Sequence, residues 1–185
     1  MGYLNFEIVE VKARCKNQDE IRGYLKEHHA DYKGIDHQVD TYFNIPKGRL
    51  KLREGKTENF LIYYERLDKE GPKQSKVALF ASEPGSTLKE VLAKALGVLA
   101  VVDKKREIYY IENVKFHVDV VEGLGTYVEI EAIDMDANIE KDKLNEQCQK
   151  YINDMGIRDQ DLIAVSYSDL LLKKLGRKQT VAKIK

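Results

Sequence analysis

The sequence is poor in cysteine, and it has no excess of either charge. Two cysteines, Cys15 and Cys148, stand in 185 residues, too few for a secreted disulfide scaffold and without the paired spacing of a zinc site. The 31 basic and 31 acidic residues cancel, which argues against a dedicated nucleic-acid-binding protein, since such proteins carry a basic excess. These absences predict a reduced, cytoplasmic protein with no nucleic-acid partner.

Long apolar runs are also missing. A membrane-spanning helix needs about 20 apolar residues, whereas the longest uncharged stretch covers only residues 95–102. The N-terminal segment reaches charged residues at once and lacks the layout of a signal peptide. We therefore expect no membrane partner. Without a linker rich in Pro, Gly or Ser, the chain is predicted to form one domain over residues 1–175, followed by a basic, disordered tail over 176–185.

Alternation of apolar and polar residues dominates what is present. In residues 5–15, Val9 and Val11 fall on one side of a strand, and Glu10 and Lys12 fall on the other. Similar patterns predict eight strands, over residues 5–15, 40–44, 48–54, 59–66, 76–81, 99–111, 114–121 and 126–133. Four amphipathic helices are predicted: one from Asn17, one over 87–97 and two towards the C-terminus. The third has Cys148 in its core stripe, and the fourth carries Ile163 and Tyr167. The fold class is α+β, mostly antiparallel.

Charged residues recur at alternate positions of several predicted strands. A Lys-x-Arg pair appears three times, as Lys12/Arg14, Lys51/Arg53 and Lys104/Arg106. A fourth strand carries Glu129-x-Glu131, and Glu10 precedes Lys12. If the helices cover the apolar strand faces, the charged faces turn towards one another, and eight strands can close into a barrel around a small ligand. The alternative is an ordinary sheet whose charged face is solvated.

An enclosed cationic channel points to a polyanion. Lys and Arg neutralise phosphate oxygens, and Arg can bind them through two parallel hydrogen bonds. Carboxylates among these cations suit a phosphate ligand only when a hard divalent ion bridges them to it, as Mg²⁺ commonly does. The mixture of charges therefore predicts a site for a metal ion and a polyphosphate.

At these same residues the chain resembles the CYTH superfamily, the triphosphate tunnel metalloenzymes, and within it the class IV adenylyl cyclase-like branch. The matching stretches occur in family order over residues 5–171. They are E-V-K-A-R at 10–14, Q-V-D-T-Y-F at 38–43, G-R-L-K-L-R-E at 48–54, G-P-K-x-S at 71–75, V-x-K-x-R-x-x-Y at 102–109, L-G-x-Y-V-E-I-E at 124–131 and S-Y-S-D-L-L at 166–171.

The resemblance implies an antiparallel eight-stranded β-barrel, or tunnel, with helices packed outside, which binds a triphosphate with Mg²⁺ or Mn²⁺. It assigns phosphate binding to Lys12, Lys51, Arg53, Lys104 and Arg106, with a further cation at Arg66 or Lys73. It assigns metal binding to Glu10, Asp119, Glu129 and Glu131.

One position departs from the family pattern. The opening motif is Glu-x-Glu-x-Lys, and its first glutamate is replaced here by Ile8. Glu7 should point to the opposite face and could substitute only if a bulge shifted the register. The loss of one carboxylate predicts weaker metal dependence at one site.

The resemblance implies an enzyme of the adenylate cyclase type, which converts ATP to cyclic AMP and pyrophosphate. Two alternatives stay open: an inorganic or thiamine triphosphatase of the same superfamily, and a non-catalytic module that binds a polyphosphate or nucleotide, which Ile8 favours. Spacing does not separate these activities, because all need the same phosphate cradle. The oligomeric state is also open, with a homodimer as one option.

Overall fold

The computed structural model describes residues 4–135 and 138–176, with the backbone alone at residues 4 and 5. Its strands are β1 (Leu4–Arg14), β2 (Asp31–Phe43), β3 (Arg49–Glu54), β4 (Phe60–Arg66), β5 (Lys73–Ala81), β6 (Val98–Ile111), β7 (Val114–Val121) and β8 (Gly125–Asp134). Its helices are α1 (Gln18–Glu27), α2 (Leu88–Leu96), α3 (Lys141–Asp154) and α4 (Tyr167–Lys174). The predicted basic tail lies outside the described residues beyond Gly176.

The eight strands form a closed barrel in the order β1-β5-β4-β3-β2-β6-β7-β8. Every neighbouring pair is antiparallel, including the pair of β1 and β8 that closes the ring. The fold class predicted from the sequence is therefore confirmed. None of the described helices is long and apolar enough to cross a membrane.

The main hydrophobic core lies outside the barrel, between its wall and two helices. Val9 and Val11 of β1 point outward into this core with residues of β7 and β8. Ile21 and Leu25 of α1 and Cys148 of α3 cover them, and Cys148 is buried as expected. Because successive strand residues point to opposite faces, this outward apolar face forces the charged alternate residues of the same strands into the barrel.

Three elements differ from the sequence-based predictions. β2 begins at residue 31, whereas the prediction began it at residue 40. The prediction missed the first half of the strand because that half carries polar residues on both faces and shows no apolar alternation. α4 begins only at Tyr167, so Ile163, predicted to lie on this helix, precedes it and donates its backbone N–H to the carbonyl of Lys12. The apolar stripe of α2 is only partly covered, and Val91 remains 58% exposed.

Candidate functional site

The barrel encloses a cavity of about 150 Å³ that is lined by charged groups of both signs. Its six cations are Lys12, Lys51, Arg53, Arg66, Arg106 and Lys115. Its five carboxylates are Glu10, Asp40, Glu58, Glu129 and Glu131. The cavity wall thus carries only one more cation than carboxylate, and nearly all of these groups are paired with one another.

Asp40 of β2 is the centre of the largest ion cluster. Its carboxylate accepts hydrogen bonds from Lys51 (2.9 Å), Lys104 (2.8 Å) and Arg53 (2.8 Å to Nε). Burial alone would raise the pKa of Asp40, but the charges of Arg53, Lys104 and Lys51 outweigh it and hold the pKa well below its usual range. Three of the predicted phosphate-binding residues are therefore brought together by one carboxylate that sequence reasoning had not singled out.

A second carboxylate enters the cavity from the loop between β3 and β4. Glu58 accepts a hydrogen bond from Arg53 (2.9 Å) and pairs with Lys115 of β7. Asp36 holds this loop by accepting the backbone N–H of Lys56 at 2.7 Å. Gly55 allows that approach, because a Cβ at this position would lie 2.5 Å from the Asp36 Oδ2 atom. The loop thereby closes part of the barrel interior with a charged side chain.

The Glu129 carboxylate lies between two of the predicted phosphate-binding residues. It pairs with Lys12 across the β1–β8 ladder and accepts a 2.7 Å hydrogen bond from Arg106 Nη2. Arg106 also donates through Nε to Asp119 (2.7 Å), and Tyr167 donates to the other Asp119 oxygen (2.8 Å). Asp119, predicted as a metal ligand, is thus engaged by Arg106 and Tyr167 and is absent from the cavity lining.

Glu10 and Arg66 form a separate pair on the β1, β5 and β4 side. The Glu10 Oε1 atom accepts from Arg66 Nη1 (2.9 Å) and from the Ser75 hydroxyl (2.6 Å). Burial would raise the pKa of Glu10, but the Arg66 and Lys12 charges lower it to about 2. Arg66 is the least satisfied cation: its side chain is 3% exposed, and its Nε and Nη2 atoms have no hydrogen-bond partner among the described residues.

Lys73 faces inward at the start of β5, but its ammonium group does not line the cavity. It donates to the backbone carbonyls of Ile163 (2.8 Å) and Ala164 (3.0 Å) in the segment before α4. Burial, and then the nearby Arg66 charge, lower the pKa of Lys73 to about 8. This lysine therefore ties a loop to the barrel, whereas Arg66 lines the cavity.

A group of potential metal ligands lies at the β7–β8 side of the cavity. Ligand atoms of His117, Glu129 and Glu131 lie within 4.8 Å of one another. His117 is buried, with Nδ1 3.2 Å from a Glu129 oxygen, and no described residue hydrogen-bonds to its Nε2. Burial, then the charges of Arg106 and Lys115, lower the pKa of His117 well below its usual value. The two carboxylates suit a hard divalent cation such as Mn²⁺ or Mg²⁺, whereas an imidazole is a ligand more typical of other transition metals.

Ile8 lines the cavity at the position of the missing family glutamate. β1 pairs in continuous register with both β5 and β8, with Ile8 opposite Ser75 and Ile133. No bulge occurs that would turn Glu7 inward, and Glu7 instead pairs with Gln74 on the exterior. The inner face of β1 thus offers one carboxylate, Glu10, where the family motif has two.

Sequence reasoning missed Asp40, Glu58, Lys115 and the part played by Tyr167. Lys115 had a signal, because it alternates with His117 and Asp119 on β7 and so shares their face. Asp40 alternates with Tyr42 in the same manner. Glu58 had none, because it reaches the cavity from an irregular loop that follows no strand periodicity.

Comparison with known proteins agrees with this geometry. The family model described as the CYTH domain matches residues 7–167. A protein of Methanocaldococcus jannaschii named "Putative adenylate cyclase MJ0240" is 29% identical over 176 residues, which cover 88% of this chain and 97% of that relative.

Solved structures share the architecture. The PH1012 protein of Pyrococcus horikoshii is 25% identical and superposes with a TM-score of 0.75 over 88% of this chain and 98% of its own. HpAC1 of Hippeastrum, a "putative adenylyl cyclase" with a dominant triphosphatase activity, is 13% identical, with a TM-score of 0.62 over 96% of this chain and 99% of its own. At 13% identity, the second likeness concerns the fold alone.

Proposed function

The chain belongs to the CYTH domain family, and from this premise we propose that it binds a triphosphate inside the barrel with a divalent cation and catalyses phosphoryl transfer. Lys12, Lys51, Arg53, Arg66 and Arg106 would contact phosphate oxygens, and all five line the cavity. Lys104 would contribute indirectly, by donating a hydrogen bond to Asp40, which also binds Lys51 and Arg53. The relative from Methanocaldococcus favours ATP as the substrate and cyclisation as the reaction.

Arg66 carries this proposal. Among the described residues, two nitrogens of this buried guanidinium have no acceptor for their N–H groups, which is costly unless a ligand supplies one. The Asp68 carboxylate lies 4.0 Å from Nε. Phosphate oxygens match the planar geometry of these donors and satisfy them through charge-assisted bonds. The free donors of Arg66 therefore support an anionic ligand at this end of the cavity.

A divalent cation is needed because the cavity is nearly neutral. A triphosphate carries several negative charges at neutral pH, and the one-charge excess of cations in the wall cannot balance them. Glu10, Glu129 and Glu131 would hold the ion, with His117 beside them. When bound, Mg²⁺ or Mn²⁺ would neutralise phosphate oxygens and stabilise the charge on the leaving group.

Two reactions are compatible with this cradle. In cyclisation, the ribose 3′ oxygen attacks the α-phosphate of ATP and pyrophosphate leaves; in hydrolysis, water attacks the terminal phosphate. Incubation of the purified protein with Mg²⁺ or Mn²⁺ and ATP, thiamine triphosphate or tripolyphosphate separates them. Cyclic AMP with pyrophosphate identifies a cyclase, and orthophosphate identifies a hydrolase. Binding without any product would contradict the proposed catalysis and leave a binding module.

The role of Arg66 is tested by Arg66→Met. We expect the affinity for tripolyphosphate with Mg²⁺, measured by titration calorimetry, to fall at least about tenfold, because one charge-assisted hydrogen bond contributes about 1.5–3 kcal/mol. Arg158→Met, at a side chain 63% exposed, is the matched control and should bind as the wild type does. Equal affinity of Arg66→Met and the control would contradict phosphate binding at Arg66.

A further inference from the structure

One sector of the cavity wall is apolar, although the barrel interior is otherwise charged. We call it the apolar wall; its residues are Phe6, Ile8, Phe60, Ile62, Val77, Leu79 and Ile133, and all of them line the cavity. They lie on β4, β5, β1 and β8, which are consecutive in the barrel. The apolar wall is therefore one continuous surface rather than a set of scattered side chains.

The strand register aligns the edge of this surface. Ile8 is opposite Ile133, and the next inward pair of the same ladder is Glu10 opposite Glu131. On the other side, Tyr64 pairs with Val77, and the next inward pair joins Arg66 to Ser75. The change from apolar to polar thus occurs within one inward position on all four strands, and it steps by one pair between β5 and β1, where Ser75 is opposite Ile8. Ile8 is part of the reason, because a glutamate there would interrupt the apolar wall.

The polar side of this boundary is where the phosphate-binding groups begin. Arg66, with its free donors, lies next to Tyr64, whose ring centre is 5.5 Å from the guanidinium carbon. Nearby, the Ser75 hydroxyl donates a hydrogen bond to Glu10. A ligand whose phosphates reach Arg66 would consequently place the group attached to them against the apolar wall.

The side of the cavity across from the apolar wall offers few free polar groups. Across from the apolar wall, Arg53, Glu58 and Lys115 are already paired with one another. Little hydrogen-bonding capacity therefore remains for a large polar group at this level.

From this arrangement we infer that the ligand is a triphosphate monoester whose organic group is apolar, bound with its phosphates at Arg66 and its organic group against Ile8, Ile62 and Val77. The inference rests on the proposed binding of a triphosphate, and it favours an apolar ester over the ATP that the Methanocaldococcus relative suggests. Removal of apolar surface from water favours such an ester over inorganic tripolyphosphate, which would leave the apolar wall uncovered.

Three probes with the same triphosphate test this inference: isopentyl triphosphate, glyceryl triphosphate, which is of similar size but polar, and inorganic tripolyphosphate. Titration calorimetry of the wild-type protein with Mg²⁺ should show isopentyl triphosphate binding at least tenfold more tightly than either of the others. Equal affinities would overturn the inference and leave the proposed function standing. Failure of all three to bind would overturn the proposed function, and the inference with it.

A pair of variants tests whether the apolar wall causes the preference for isopentyl triphosphate. Ile62→Gln, in the apolar wall, should reduce the preference for isopentyl over glyceryl triphosphate at least fivefold, while tripolyphosphate affinity stays within twofold. Val101→Gln, at a half-exposed position on the barrel exterior, should keep the wild-type preference. A preference unchanged in Ile62→Gln would overturn the assignment to the apolar wall. If that variant does not fold, the three probes on the wild-type protein still decide.

Discussion

Asp40 shows how strongly a single buried carboxylate can organise a cationic interior. It is 1% exposed and joins cations from β3 and β6 that would otherwise repel one another. A phosphate that enters this region must compete with Asp40 for the same donors. Asp40 therefore stabilises the barrel without ligand, and a phosphate must bind Lys51, Arg53 and Lys104 more favourably than Asp40 does in order to displace it.

Asp40→Asn is expected to destabilise the protein by about 3–5 kcal/mol at pH 7, because it leaves buried cations without their counter-charge. The sign of the pH effect follows from the lowered pKa of Asp40: its stabilisation is complete above the unfolded-state pKa near 4 and is lost as the pH falls through the folded-state value. Urea unfolding from pH 7 to pH 2 should show a smaller loss of stability in Asp40→Asn. Parallel curves for the two proteins would contradict this.

Ile8 limits the number of metal ligands on β1. We expect the wild-type protein to bind Mn²⁺ at one tight site that Glu10→Ala abolishes, and Ile8→Glu to add a second. Loss of the free Mn²⁺ electron paramagnetic resonance signal during titration measures the stoichiometry. Glu7→Gln, on the exterior side of the same strand, is the control and should leave it unchanged. Two tight Mn²⁺ sites in the wild-type protein would show that the replacement of the motif glutamate by Ile8 removes no metal site.

At the scale of elements, α4 closes one side of the charged network. Ser166 and Asp169 form a capping box that begins this helix. Tyr167, which follows Ser166, donates a hydrogen bond from its hydroxyl to Asp119, and its ring centre lies 3.8 Å from the Lys12 ammonium nitrogen. The helix start is thereby coupled to two residues of the barrel interior, and through Asp119 to Arg106.

Tyr167→Phe isolates the hydroxyl, because the ring over Lys12 remains. Asp119 is fully buried and would lose one hydrogen bond, so the free energy of unfolding should fall by about 1–3 kcal/mol. Denaturant titration of the variant beside Tyr32→Phe, whose residue is 49% exposed, measures the difference. The hypothesis fails if both variants lose the same stability.

The elements that the sequence predicted well are those with a strong period-two pattern. β1 and β8 alternate cleanly, and spacing alone placed Glu10 with Lys12, and Glu129 with Glu131, on one face of each strand. The first half of β2 could not, since Asp36 and Gln38 are polar residues buried by tertiary contacts with a loop. Nor could the choice between Arg66 and Lys73, because it depends on carbonyls about 90 residues further along the chain.

At the scale of the whole molecule, the barrel is covered unevenly. α1 and α3 pack over β1, β7 and β8 in the main core. Within the described residues, no helix packs extensively against β3, β4 or β5, and Phe80 of β5 is 48% exposed. The strands that carry Arg66 and most residues of the apolar wall are therefore those with the least helix packing on their outer face.

This asymmetry predicts a gradient of local stability. Backbone amides of β3–β5 should exchange with deuterium at least about tenfold faster than those of β1, β7 and β8, because few buried contacts oppose their opening. Hydrogen exchange followed by mass spectrometry measures both groups in one sample. Uniform protection around the ring would contradict the expectation and indicate that the barrel opens only as a whole.

Ring closure has a further consequence for how copies of this protein meet in a crowded solution. An open sheet ends in strands whose free N–H and C=O groups can recruit a strand of another chain and start a fibre. Among the eight described strands, each has a hydrogen-bonded neighbour on both sides. A protein so rich in β-structure should therefore tolerate high concentration without strand-to-strand polymerisation, as long as the ladder between β1 and β8 holds.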